Sequence, residues 1–175
     1  MSYLINFVLF QLAWFAGILG AAHHQALWGI LAIVLCLAVH VWLLPKMNRR
    51  EEYVLMLKCF LLGTLIDTVL MQAGIMVYAS PNPVSFLSPL WMSLLWVALA
   101  VTLNHSLAWL KNKYALSAIL GSITGPLSYL AGVRLGAGSM PDEINSLVAL
   151  SIVWALSMPL MMFWAKKSNK SSYEI

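Results

Sequence analysis

The stretch Pro45-Lys46-Met47-Asn48-Arg49-Arg50-Glu51-Glu52 separates two apolar runs, residues 26–44 before it and 54–79 after it. Each run is long enough, at about 1.5 Å per helical residue, to cross a hydrocarbon core of roughly 30 Å. Pro45 cannot continue a helix, and the cluster of charged side chains that follows it does not sit in lipid. The stretch therefore reads as a loop at a membrane surface, and the two runs as membrane spans on either side of it.

The same alternation extends in both directions. Further apolar runs occupy residues 3–19, 89–110, 114–135 and 144–165. Lys111-Asn112-Lys113 and the tail from Lys166 carry cations, whereas Gly20–Gln25 and Ser80-Pro81-Asn82-Pro83 carry no Lys or Arg. Nine of the ten Lys and Arg residues fall at one end of a six-span topology, with Arg134 the exception. Cytoplasmic loops retain Lys and Arg. The expected architecture is an all-α, polytopic transmembrane six-helix bundle over residues 1–165 with both termini cytoplasmic, followed by a polar tail at 166–175.

Composition supports that class. The chain is 62% hydrophobic and 9% charged, with a mean hydropathy of +0.85, whereas a soluble globule carries about a quarter charged residues. The net charge of +4 is spread over loops and tail, so it orients the protein in a membrane and is no nucleic-acid footprint. Cys36 and Cys59 stand alone in apolar segments and match no metal or redox spacing. Met1-Ser2-Tyr3 lacks a side-chain cation and no cleavage box follows, so the first span reads as a retained anchor. A bacterial inner membrane is the expected location.

Three polar layers are candidates for chemistry. Asp67, expected near the middle of the third span, costs roughly 2.5–3.5 kcal/mol to insert, so it should face the bundle interior. Gln11 lies at similar depth and is its expected partner, with Thr64 and Thr68 on the adjacent surface. Asp67 is either a functional site or a protonated hydrogen-bonding link between helices. Nearer the cytoplasmic end, Asn6, His40, Lys58, Asn104 and His105 form a second layer. Two histidines at matched depth can ligate a metal or haem, but interhelical hydrogen bonding explains them more simply. The outer layer holds Gln72, Tyr129, Arg134 and His23-His24, with Asp142 and Glu143 placed to pair with Arg134. On the fifth span, Gly121, Gly125, Ser128, Gly132 and Gly136 recur at helical spacing, the pattern of close helix packing; Gly125-Pro126 would alternatively break the helix beside a cavity. No phosphate-binding glycine loop, H-E-x-x-H or G-x-S-x-G is present.

Several segments together resemble a domain-of-unknown-function family of small bacterial multi-span inner-membrane proteins. They are Gln11-Leu12-Ala13-Trp14-Phe15 with Gly20-Ala21, Gly63 with Asp67, and Pro89-Leu90-Trp91-Met92 with Leu95-Trp96. Ser106-Leu107-Ala108-Trp109-Leu110 and Gly125-Pro126-Leu127-Ser128-Tyr129 with Gly132, Leu135, Gly136 and Ala137 complete the likeness. The resemblance implies a membrane protein with no assigned activity and a link to lipid metabolism, through neighbouring fatty-acid-modifying enzymes. The expected function is a non-enzymatic module that binds a lipid or apolar small molecule. An ion-coupled carrier using Asp67 is the alternative, and an intramembrane enzyme or haem or metal protein using His40 and His105 comes third. Candidate binding residues are Gln11, Asp67, Asn104, His105, Pro126, Tyr129 and Arg134; no catalytic residue, metal or cofactor is assigned. Expected partners are membrane lipids, a lipid-modifying membrane enzyme or a second copy of the chain, and not nucleic acid.

Overall fold

A computed structural model describes residues 2–46, 49–80 and 84–170, with side chains through 168. The described residues form six α-helices: α1 (Tyr3–Ala22), α2 (Ala26–Leu43), α3 (Arg49–Gln72), α4 (Leu90–Leu103), α5 (Tyr114–Arg134) and α6 (Glu143–Lys170). All but α4 are long and apolar enough to cross a membrane. The protein is an all-α membrane helix bundle with several spans.

Large apolar side chains cover the outside of the bundle. Leu61, Leu65 and Leu156 are each more than half exposed, the arrangement expected where lipid, not water, is the solvent. Small residues make the interior contacts instead. On α1, Ala13, Gly17 and Ala21 are buried, and a Cβ on Gly29 of α2 would lie 2.7 Å from the Ala16 carbonyl oxygen. The α1 and α2 backbones therefore approach as closely as glycine allows. On α5, Gly121 packs on the α6 backbone at Trp154 and Gly132 on Ile18 of α1.

The fourth helix departs from its expected 89–110 extent. It has 14 residues, about 21 Å at 1.5 Å per residue, and nearly all of them are buried. The chain leaves it at Asn104 through a turn and a 3-10 segment, Ala108–Leu110. Buried between other helices, α4 does not itself have to cover the full hydrocarbon thickness.

The third helix lies earlier than the 54–79 expected. It starts at Arg49, inside the charged stretch, and stops at Gln72. Its end is a glycine cap: Gly74 has φ +70°, its N–H donates to the Met71 carbonyl, and that of Ile75 to the Leu70 carbonyl. The apolar residues beyond it form a two-residue strand, β1 (Val77–Tyr78), antiparallel to β2 (Gly138–Ser139). This ties the α3–α4 connection to the α5–α6 connection. Asp67 consequently lies within two turns of the helix end, not at mid-span. The sixth helix also continues through Lys170, where a tail was expected from 166. Residues 171–175 of that tail, Met47-Asn48 of the charged loop and the Pro81-Asn82-Pro83 breaker lie outside the described residues.

Candidate functional site

The buried face of α3 is a single stripe, Glu52, Leu55, Cys59, Gly63, Asp67 and Leu70, at spacings of three and four. It carries two carboxylates 15 residues apart, about 22 Å along the helix. Each organises a polar centre, one at each end of the bundle.

At the end away from the Lys and Arg clusters Asp67 is fully buried. Its Oδ1 accepts hydrogen bonds from the hydroxyls of Tyr78 (2.9 Å) and Tyr129 (2.6 Å), and its Oδ2 from the Trp96 indole (2.7 Å). These donors come from β1, α5 and α4, so one carboxyl group links three elements to α3. Trp96 can only donate, and three donors on two oxygens match an acceptor-only carboxylate. Burial, with Asp67 beside it, pushes the Tyr78 hydroxyl well above its ordinary pKa and keeps its proton available to donate. Trp96 stacks on Trp154 with ring centroids 4.6 Å apart. This indole pair is seated between two glycines, because a Cβ on Gly63 would enter the Trp96 ring and one on Gly125 the Trp154 ring.

Gln11 takes no part in this centre. It lies on α1, whereas all three groups bonded to Asp67 come from elsewhere; equal depth in the membrane does not make two helices neighbours. Thr64 donates to Ser93 Oγ (2.8 Å), and Thr68 Oγ1 accepts the Ser88 N–H (3.0 Å), so both threonines join α3 to the start of α4. Pro126 is buried, but α5 runs unbroken from Tyr114 to Arg134, and no helix break opens at Gly125-Pro126. Arg134 is exposed, and its Nη2 donates to both carboxylate oxygens of Glu143, at 2.9 and 2.8 Å. Asp142 instead accepts the Asn145 N–H at the start of α6.

A cavity of about 60 Å³ lies directly in front of the Asp67 centre. Its walls are Phe10, Trp14 and Ile18 of α1, Met92, Leu95, Trp96 and Leu99 of α4, Ser128 and Tyr129 of α5, and Trp154 of α6. Ser128 Oγ accepts the Trp14 indole N–H at 2.9 Å, which leaves the serine proton free to donate. Tyr129 and Trp96 thus serve both as wall of the cavity and as ligands of Asp67.

At the cation-rich end the structure gathers Asn6, His40, Asn104 and His105, and adds Glu52. Glu52 was expected in the charged loop beside Arg49 and Arg50. It is 4% exposed because α3 begins before it and turns it inward. Its Oε1 lies 3.2 Å from His40 Nε2 and 3.6 Å from His105 Nε2, and its Oε2 accepts Asn104 Nδ2 at 3.1 Å. Asn6 sets the state of His40. Its Oδ1 accepts both the N–H and the hydroxyl of Ser106, and its Nδ2 donates to the Val101 carbonyl (2.9 Å). The amide nitrogen therefore also faces His40 Nδ1 (3.4 Å), so Nδ1 is unprotonated and Nε2–H donates to Glu52. Lys111 lies nearby; burial draws its ammonium below the ordinary range, partly offset by Glu52. Lys58 is exposed, with its ammonium 5.8 Å from the Trp164 ring, and is not part of the cluster. Glu52 was legible in principle, since it continues the three-and-four spacing of the α3 stripe.

Residues 3–160 match the family described as "Protein of unknown function (DUF2878)". The match covers most of the chain, and the protein belongs to that family. No curated protein and no solved structure matches it.

Proposed function

We propose that this member of the DUF2878 family is a non-enzymatic binding module of the bacterial inner membrane, taking an acyl chain or similar apolar molecule into the cavity in front of Tyr129 and Trp96. The observation that carries this reading is the cavity itself: apolar walls from α1, α4, α5 and α6, at the level of membrane-spanning helices, with one serine hydroxyl able to donate. An acyl chain already in lipid gains little from hydrophobic transfer, so selection rests on shape and on that donor. The small volume, about 60 Å³, favours an unbranched chain over a ring system, and an ester or carboxyl oxygen is the group Ser128 would recognise. The Asp67 centre holds the far wall rigid. A carrier built on Asp67 finds less support, because its oxygens are committed to three donors and α5 has no hinge at Pro126. A neighbouring lipid-modifying enzyme remains the proposed partner.

The test is mass spectrometry of molecules retained by the detergent-purified chain. The parent should carry an acyl species enriched over bulk membrane lipid, and Ser128→Leu, which fills the slot, should lose the enrichment while eluting and melting as a folded protein. Bulk phospholipid in bulk proportion on the parent would contradict the proposal.

A further inference from the structure

The cluster at the cation-rich end has a ligand geometry that hydrogen bonding alone leaves incomplete. Glu52 Oε1, His40 Nε2 and His105 Nε2 lie within 4.8 Å of one another, although the residues come from α3, α2 and the turn after α4. His105 Nε2 is buried and has no hydrogen-bond partner; at 3.6 Å from Glu52 it is too far for one. The Asn104 Oδ1 is likewise buried without a donor, although the same side chain's Nδ2 is bound to Glu52. A buried carboxylate, with an imidazole nitrogen 3.6 Å away that makes no hydrogen bond and an amide oxygen without a donor beside it, is an arrangement that a cation would complete.

We infer that His40, Glu52 and His105 bind a first-row divalent transition metal ion, with Asn104 close enough to support the carboxylate. Two imidazoles and one carboxylate are a donor set suited to zinc or iron(II) and poorly suited to magnesium or calcium. Bonds of roughly 2.0–2.1 Å to a tetrahedral ion place ligand atoms about 3.3 Å apart, and the observed 3.2 and 3.6 Å bracket that edge. The third edge, between the two imidazole nitrogens, is within 4.8 Å and has to close by up to about 1.5 Å to reach that length.

The site also orders its ligands. Glu52 is a carboxylate with lone pairs to spare and His105 Nε2 has no hydrogen bond to give up, whereas His40 Nε2 carries the proton it donates to Glu52. An ion at His40 Nε2 has to displace that proton, and the Asn6 amide, held by Ser106 and Val101, presents a donor to Nδ1, so His40 is the last of the three to bind. Glu52 and His105 are therefore the primary ligands, and His40 completes the set.

The probe is Co²⁺, added to the full-length chain in detergent in a His23→Ala, His24→Ala background, which removes the exposed histidine pair at the opposite end. After desalting, about one Co²⁺ per chain should remain, with visible absorption of nitrogen and oxygen coordination. Glu52→Gln and His105→Ala should each weaken binding by more than the roughly 10–100-fold that loss of an outer-shell partner causes, and Zn²⁺ should displace Co²⁺ and bleach the band. His105 lies in a partly exposed turn, so its variant remains informative if Glu52→Gln fails to fold. Absence of retained Co²⁺ in the background chain, or full retention in His105→Ala, would overturn the inference. Neither result bears on the acyl-binding reading, which concerns the other end of the bundle.

Discussion

Asp67 holds the end of the molecule away from the cation clusters together through three neutral donors, and its substitutions separate hydrogen bonding from charge. In Asp67→Asn the amide oxygen can take the Trp96 N–H while the amide nitrogen faces tyrosyl hydroxyls, which can rotate to accept. The cost should be on the scale of one interhelical hydrogen bond, about 1 kcal/mol. Asp67→Leu leaves three buried donors without acceptors, at roughly 1–3 kcal/mol each before relaxation. Thermal unfolding in detergent should therefore rank parent, Asn and Leu in that order, with the larger step between Asn and Leu; equal melting of the Leu variant and the parent would remove Asp67 from the account. The sequence made Asp67 conspicuous, because a carboxylate in an apolar span needs a reason. Its partners were not legible. Tyr78 reaches it from a strand that reads as span, and Trp96 reads as one more membrane tryptophan among eight. Glu52 was obscured by its neighbours: beside two arginines a glutamate looks solvated, and only its register with Leu55 and Cys59 points inward.

Between elements, the decisive contacts are glycines facing rings. Gly63→Ala gains about 1 kcal/mol of helix propensity, but its methyl group would enter the Trp96 indole. Overpacking of that kind costs roughly 1–3 kcal/mol, and displacement of Trp96 also loosens its bond to Asp67. The variant should melt below the parent, and Gly63→Ala should cost less when Trp96 is already Phe, a non-additivity that a double-mutant cycle measures. Gly74→Ala offers a contrast, since nothing lies within 4 Å of the added methyl. Its cost should be that of the left-handed backbone alone, about 1 kcal/mol. The end of α2 before Pro45 and the start of α5 after Lys113 were readable from breakers and charges, whereas the end of α4 at Leu103 was not. The end of α3 was not, because Val77 and Tyr78 continue the apolar composition and the strand they form is specified by pairing with Gly138 and Ser139 far along the chain.

For the whole molecule, the asymmetry of Lys and Arg predicts an orientation that the packing makes consistent: Asn6, His40, Glu52 and Asn104 meet at the cation-rich end, while Tyr78 and Tyr129 meet Asp67 at the other. Cysteine at Ser85 should react with a membrane-impermeant thiol reagent from the outside, and cysteine at Lys113 only from the cytoplasmic side; the reverse pattern would invert the topology. The bundle and its six helices follow from span length and charge, but the cavity does not, because it depends on which helices are neighbours, and small residues allow several arrangements. The most direct measurement of the central claim is photocrosslinking with a diazirine-bearing fatty acid, followed by peptide mapping. Labelling should concentrate on the cavity-lining Phe10, Trp14 and Leu99 and be lost in Ser128→Leu. Labelling spread instead over the lipid-facing Leu12 and Phe15, 57% and 49% exposed, and unchanged in Ser128→Leu, would contradict it.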